Sequence, residues 1–139
     1  MKNTIRLFAL ITLIGVCGCA TVGGGGATDE ELILQQLTVW SNALQNDEVD
    51  AAMAIYSEDA VGFQGSDKEG IADFFHGASE SGDLADIDFI IDEATVTVTG
   101  LTAEVSPVVI VGDFGEFEMV FLMEKEDGTW LIIGQEGTD

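Results

Sequence analysis

Apolar positions near residue 30 recur at the spacing of a helix. Steps of four, three and four residues place these side chains on one helical face: Ile33, Leu37, Trp40 and Leu44. Thr28 and Glu31 form a capping box at the start of this first helix. A second helix, capped by Asn46 or Asp47, is predicted to run to about Ser57, with an apolar face at Val49, Met53 and Tyr56.

The next segment predicts a short strand and then a third helix. The strand covers Ala60 to Phe63. Ser66 and Glu69 form a second capping box, and the helix that follows is expected to stop at Gly77. Its apolar positions are Ile71, Phe74 and Phe75.

From Asp86 onward the apolar period changes to two, which indicates strands. One long strand over 86–98, bent at Ile91 to Ala94, precedes three more at about 102–111, 116–125 and 129–136, separated by glycine-containing turns. Pro107 lacks an N–H donor and is expected at an edge or a bulge. The prediction is an α+β fold in the order α-α-β-α-β-β-β-β, with three helices packed in a curved antiparallel sheet.

The chain begins with the features of an export signal. Lys2 and Arg6 precede an apolar run from Leu7 to Val16, which is too short for a stable membrane span. The run ends at Cys17-Gly18-Cys19, which resembles the lipidation motif of bacterial lipoproteins. Gly18 is the small residue expected before the modified cysteine, so Cys19 fits this motif better than Cys17 does. An ordinary signal peptide cleaved near Ala20, or an uncleaved anchor, remains the alternative.

The predicted organisation is therefore a signal peptide at 1–18, a lipidated Cys19 with a glycine-rich tether at 19–27, and one domain at 28–139. In this interpretation the protein is exported and held in the cell envelope by its lipid. If the cell is Gram-negative, Ala20 rather than Asp after Cys19 indicates, by the sorting rule for lipoproteins of enteric-type bacteria, that the protein is in the outer membrane and faces the periplasm.

Charge changes the range of functions to consider. The 139 residues include 26 acidic and 4 basic side chains, and 47% are hydrophobic, which is enough for a folded core. Removing residues 1–18 leaves two lysines against 26 acidic residues, a formal charge of −24. Such a charge argues against binding nucleic acid or anionic lipid surfaces. Adaptation to a saline environment is the simplest explanation of this negative charge. The alternative is calcium binding by Asp83, Asp86 and Asp88, but a calcium-binding loop would need a glycine and a closing Glu that this segment lacks.

Motifs at several places along the chain carry a resemblance. A Tyr-Ser-Glu-Asp-Ala motif stands at 56–60, Lys-Glu-Gly-Ile-Ala-Asp-Phe-Phe at 68–75, and Asp-Gly-Thr-Trp at 127–130. Their order and spacing resemble the nuclear transport factor 2-like superfamily, with its polyketide-cyclase-like (SnoaL-like) and ketosteroid-isomerase-like branches. The resemblance implies a cystatin-like cone: a curved sheet wrapped around helices, with a pocket at the open end.

The same resemblance argues against isomerase chemistry. In ketosteroid isomerases a carboxylate base and a tyrosine donor occupy positions that fall on Gln64 and Trp40 in this sequence. Gln64 has no usable basicity, and the Trp40 indole is a weaker donor. His76 is the single histidine, and Asp73 stands one turn before it; a solvated pair on the helix surface is the simpler interpretation. We expect no zinc, no other metal and no cofactor, because the domain lacks a second histidine, a cysteine and a phosphate-binding loop.

A ligand pocket is the remaining hypothesis. Large side chains that could line it come from both helices and strands, although most of them are expected to be core: Trp40, Tyr56, Phe63, Phe74, Phe89, Met119, Phe121 and Trp130. Gln135 and Glu118 could add polar groups. The sequence thus predicts a module that binds a small apolar ligand or serves as an envelope interaction module, which could form a homodimer. The alternative is an isomerase, dehydratase or cyclase that uses a pocket carboxylate such as Glu118 or Asp73.

Overall fold

The computed structural model describes residues 26–138, which form three helices and a six-stranded sheet. The helices are α1 (Asp29–Gln45), α2 (Val49–Met53) and α3 (Lys68–Ser81). The strands are β1 (Tyr56–Val61), β2 (Asp88–Ile90), β3 (Thr95–Thr99), β4 (Thr102–Gly112), β5 (Gly115–Glu126) and β6 (Thr129–Gly137). Short 3-10 turns cover Phe63–Gly65 and Asp83–Asp86. The predicted signal, Cys19 and most of the tether lie outside the described residues.

The sheet is a β3–β4–β5–β6 meander with two additional strands. Its order is β1-β6-β5-β4-β2, with β3 also paired to β4. All pairs are antiparallel except β1 with β6, which is parallel. The register of β4 against β5 slips between Val105 and Val108, so Pro107 lies at a bulge, as the sequence predicts. The α+β prediction is confirmed.

The first helix follows its sequence pattern closely. The Thr28 hydroxyl accepts from the Glu31 N–H at 3.2 Å, and the Glu31 carboxylate accepts from the Thr28 N–H at 2.9 Å. The four residues of its predicted apolar face are all completely buried. They pack on the inner face of the sheet, where Val105, Phe121, Met123 and Ile132 are completely buried as well. This core lies entirely within the described residues, so we expect the range to fold as an independent domain.

Two helix boundaries were predicted wrongly. The second helix ends at Met53 rather than Ser57, because Tyr56 begins β1 and pairs with Ile132 of β6. The third helix continues through Gly77 and ends at Ser81, where it is capped by Gly82 in a left-handed conformation with φ of 81°. Gly82 can adopt this conformation without a steric penalty because it has no Cβ atom.

Two caps and two strands also differ from the prediction, since β1 covers Tyr56–Val61 rather than Ala60 to Phe63. At the start of α3 the cap is Asp67, whose carboxylate accepts from the Gly70 N–H at 2.9 Å, while the Ser66 hydroxyl donates to the Phe63 carbonyl. Before α2 the capping residue is Glu48, without a side-chain bond. The long strand over 86–98 is divided into β2 and β3 by a turn at 91–94, and both parts pair with β4. No helix within residues 26–138 has the length and apolarity to cross a membrane.

Candidate functional site

The interior of the cone is filled by an aromatic cluster around Trp40. Its ring centroid lies 4.8 Å from that of Phe89, 5.1 Å from that of Phe121 and 6.2 Å from that of Phe75, each in an edge-to-face arrangement. Met119 is half-buried against the same core. Three of the predicted pocket residues, Trp40, Phe89 and Phe121, therefore come together here, and a fourth, Met119, packs against the same core. They act as packing between α1 and the sheet.

Three polar side chains lie beside this aromatic cluster. The Tyr56 hydroxyl is next to the Trp40 indole and the Gln135 amide, and burial raises the pKa of Tyr56 well above its ordinary value although those two neighbours oppose the rise. Their contacts fall short of hydrogen-bond geometry: among the described residues neither Trp40 Nε1 nor the Tyr56 hydroxyl has a hydrogen-bond partner. The interior of the cone thus contains buried polar atoms without partners.

A bulge in β6 determines the position of Gln135. Leu122 is opposite Gly134 whereas Met123 is opposite Ile132, so Ile133 is an extra residue in β6. The bulge shifts the alternation by one residue. Gln135 consequently faces inward opposite Phe121 and is 8% exposed, whereas unbroken alternation from Ile132 would place it on the outer face.

Trp130, another predicted pocket residue, belongs to a different part of the domain. Its Nε1 donates to Asp29 Oδ1 at 3.0 Å, and Lys125 Nζ donates to the same oxygen at 2.7 Å. The hydrogen bond from Lys125 is the largest cause that lowers the pKa of Asp29, and the hydrogen bond from Trp130 lowers it further. Asp29 and Trp40 are about 16 Å apart along α1 at 1.5 Å per residue. Trp130 therefore packs beside the start of α1, whereas the Trp40 cluster lies about three helical turns further along it.

An open groove lies between α3, the Asp83–Asp86 turn and the β4–β5 turn, and we call it the α3 groove. Its volume is about 540 Å³, which is within the range of small-molecule sites, roughly 300–1,000 Å³. Phe74, Ala78, Ile87 and Phe114 supply its apolar surface. Phe74 is 68% exposed and Phe114 is 53% exposed. Exposed aromatic side chains thus line a cavity of ligand size.

The wall of the α3 groove at Phe114 is held by two neighbours. The ring of Phe114 stacks on that of Phe117, with centroids 4.9 Å apart and planes 4° from parallel. The tip of the ring lies over Gly112, where an added Cβ would come within 2.6 Å of Phe114 Cζ. Gly112 is therefore required for this ring position. Neither Phe114 nor Phe117 was predicted as a site residue from the sequence. The position of Phe114 between the glycines of a turn is a signal that could have identified it.

Carboxylates line the rim of the α3 groove. Four exposed aspartates contribute to its lining: Asp73, Asp83, Asp86 and Asp113. Asp83 accepts a hydrogen bond from the Ser81 hydroxyl at 2.6 Å. The two lysines of residues 26–138 form ion pairs elsewhere, Lys68 with Glu58 and Lys125 with Asp29. The groove thus combines an apolar wall with a negative rim.

The structure separates the three candidate catalytic groups. Asp73 lines the α3 groove. His76 Nε2 lies 3.4 Å from Asp50 Oδ1 of α2, so the pair that the sequence suggested with Asp73 is replaced by one between two helices. Glu118 precedes Met119 in β5 and lies on the outer face of the sheet, because successive residues of a strand alternate.

The remaining predicted positions are exposed or unconnected with the groove. Gln64 lies in the first 3-10 turn with φ of 63°, and Phe63 beside it is 53% exposed and touches the backbone near Gly137. Within the described range no group of three or more His, Cys, Asp or Glu side chains is arranged to hold a metal ion. This includes Asp83, Asp86 and Asp88.

Comparison with known proteins identifies the fold. Neither a protein-family model nor a curated protein sequence matches the chain. Solved structures do match. A nuclear transport factor 2-like protein of unknown function from Shewanella oneidensis aligns with a TM-score of 0.66 at 19% identity, over 81% of this chain and 100% of its own. A protein of unknown function with a cystatin-like fold from Nostoc punctiforme aligns with a TM-score of 0.65 at 18% identity, over 81% and 91%.

A third match comes from Novosphingobium aromaticivorans. This nuclear transport factor 2-like protein with a cystatin-like fold aligns with a TM-score of 0.64 at 19% identity, over 78% of this chain and 80% of its own. Identities at this level describe the fold and leave the function open. The chain therefore has the cystatin-like cone fold of nuclear transport factor 2-like proteins, as its sequence motifs predicted.

Proposed function

We propose that this chain is an exported lipoprotein whose domain binds a small apolar ligand in the α3 groove without transforming it. The observation that carries the proposal is the exposure of Phe74 and Phe114 toward one cavity of about 540 Å³. Fully burying a phenylalanine side chain contributes roughly 1.5–3 kcal/mol. A ligand that covers both rings would gain part of this free energy from each.

Binding agrees better with the positions of the titratable groups than catalysis does. A proton-transfer enzyme needs its base within hydrogen-bond reach of the reacting atom. Of the three candidate groups, Asp73 lines the groove, His76 faces Asp50, and Glu118 is on the outer face of the sheet. Of the groups that the sequence suggested as catalytic, only Asp73 is therefore placed in the groove, and the catalytic alternative is tested there. It predicts that Asp73→Asn abolishes turnover of a bound ligand while leaving its affinity within about twofold.

Titration with N-phenyl-1-naphthylamine tests the binding proposal. This neutral apolar probe fluoresces strongly when it leaves water. The chain from residue 20 onward should bind it saturably, and Phe74→Ala combined with Phe114→Ala should weaken binding at least tenfold, equivalent to about 1.4 kcal/mol. Phe63→Ala is the matched control, because Phe63 and Phe114 are equally exposed at 53% and Phe63 lies outside the groove.

Two results would contradict the proposal. One is equal binding by the double variant and the wild type, which would place the probe elsewhere. The other is no saturable binding together with a stable oligomer in sedimentation, which would favour the interaction-module alternative.

Membrane anchoring is a separate part of the proposal and depends on Cys19. Processing at a lipoprotein signal would attach acyl chains to this residue, and several chains anchor a protein where one is marginal. Cys19→Ser should move the protein from the membrane fraction to the soluble fraction. Cys17→Ser is the control and should leave it in the membrane fraction. Membrane retention of the Cys19→Ser protein would contradict the lipid anchor.

A further inference from the structure

From the composition of the α3 groove we infer a preference within the proposed function: its ligand is an organic cation with an apolar body. The inference depends on the groove being a binding site at all. It adds the class of ligand, which the apolar surface alone does not specify. The features that carry it are the aromatic wall, the aspartate rim and the absence of a lysine from the groove lining.

The aromatic wall can hold the apolar body and also attract a positive charge. The faces of phenylalanine rings carry partial negative charge, so an ammonium group close to them is stabilised. Phe114 stacks on Phe117 and its tip lies over Gly112. Phe74 approaches from α3 and is the more exposed of the two groove rings.

The rim favours the same sign of charge. Its aspartates come from three separate elements: Asp73 from α3, Asp83 and Asp86 from the second 3-10 turn, and Asp113 from the β4–β5 turn. The four carboxylates line one groove of about 540 Å³, so a cation bound there is close enough to interact with them before physiological salt screens the attraction. After allowing for water and physiological salt, together they should favour a cation over a neutral analogue by about tenfold.

Three probes with the same naphthalene ring test the inference by calorimetric titration of the chain from residue 20 onward. They are 1-naphthylmethylammonium, which carries one positive charge, 1-naphthalenemethanol, which is neutral, and the anion of 1-naphthylacetic acid, which carries one negative charge. We expect the ammonium probe to bind about tenfold more tightly than the alcohol, and the acetate not to bind measurably. Raising the salt concentration to 1 M should reduce the preference to about twofold.

Paired charge variants separate the rim from the overall acidity of the protein. Asp73→Asn with Asp113→Asn removes two rim charges and should lower the preference for the ammonium probe to about threefold. Asp59→Asn with Asp92→Asn removes the same charge from exposed positions outside the groove, and should leave the preference near tenfold. Thermal melting of each variant confirms that the fold is retained.

The outcomes distinguish the inference from the proposed function. Equal affinity for the ammonium probe and the alcohol, or an equal effect of the two double variants, would overturn the cation preference and leave the groove as an apolar site. Failure of the neutral probe N-phenyl-1-naphthylamine and of all three naphthalene probes to bind would overturn the proposed function as well.

Discussion

The Tyr56 hydroxyl offers a direct test of whether the cone interior is a dry core or part of a ligand site. The sequence places Tyr56, Trp40 and Gln135 among the pocket residues, and the structure brings them together in the interior. If that interior is dry, Tyr56→Phe removes a buried polar group that makes no hydrogen bond and keeps the ring that packs in the core. The variant should then be more stable than the wild type.

The expected gain can be estimated from the burial of this group. Tyr56 is 2% exposed, and its hydroxyl has no partner among the described residues. A buried, unsatisfied polar group costs about 1–3 kcal/mol. Removing one oxygen leaves a void of roughly 10–15 Å³, which costs about 0.3 kcal/mol at 24 cal/mol per Å³. The net effect is a stabilisation of about 1–2.5 kcal/mol, or a rise in Tm of about 4–10 °C for a domain of this size.

Thermal and urea unfolding of the chain from residue 20 onward would measure this effect. Tyr56→Leu is the control, because it also removes the hydroxyl but loses the ring, and it should be destabilised by about 1–3 kcal/mol. A Tyr56→Phe protein that is less stable than the wild type by 1 kcal/mol or more would refute the dry core. It would show that the hydroxyl has a partner in solution, such as a buried water or the end of a ligand.

Other predictions concern stability at single positions. Because the pKa of Asp29 is lowered by Lys125 and Trp130, the stability that this carboxylate contributes is present above its unfolded pKa and is lost as the pH falls through its folded pKa. Asp29→Asn should therefore lower Tm at pH 7 and have little effect once the pH is below the folded pKa of Asp29, as measured by melting across pH. Phe121→Ala should cost about 3–5 kcal/mol in urea unfolding. Gly82→Ala should destabilise by about 1 kcal/mol because of its positive φ, whereas Gly77→Ala in the same helix should stabilise by about 0.5–1 kcal/mol; the opposite order of the two melting temperatures would contradict this account of α3.

Much of this fold could be predicted because helix caps and apolar faces depend on residues that are close together in the sequence. The first helix could be predicted from its cap and from one apolar face, and both depend on residues within a few turns. The second helix was predicted too long because Tyr56 satisfies two patterns. It continues a helical spacing from Val49 and Met53, and it equally suits the buried start of a strand. Tyr56 is part of a strand because it pairs with Ile132, a residue far away in the sequence.

The candidate site was harder to predict because it depends on contacts between residues that are far apart in the sequence. The α3 groove unites one face of α3, a 3-10 turn and the tip of a hairpin, which become neighbours only when the sheet has formed. Phe74 and Asp73 were recognised as candidates, but Phe114 and Ile87 were not. The inward position of Gln135 depends on a bulge at Ile133, which an alternating apolar pattern does not reveal.

The central claim is that the α3 groove binds ligand, and mapping a bound probe onto the backbone tests it most directly. Two-dimensional amide NMR spectra of the chain from residue 20 onward would be recorded during titration with 1-naphthylmethylammonium. We predict saturable shifts at Phe74, Ala78, Ile87 and Phe114, with little change at Glu118 on the outer face of the sheet. Unchanged amides around the groove, with shifts concentrated on the outer face or around Phe63, would contradict the account.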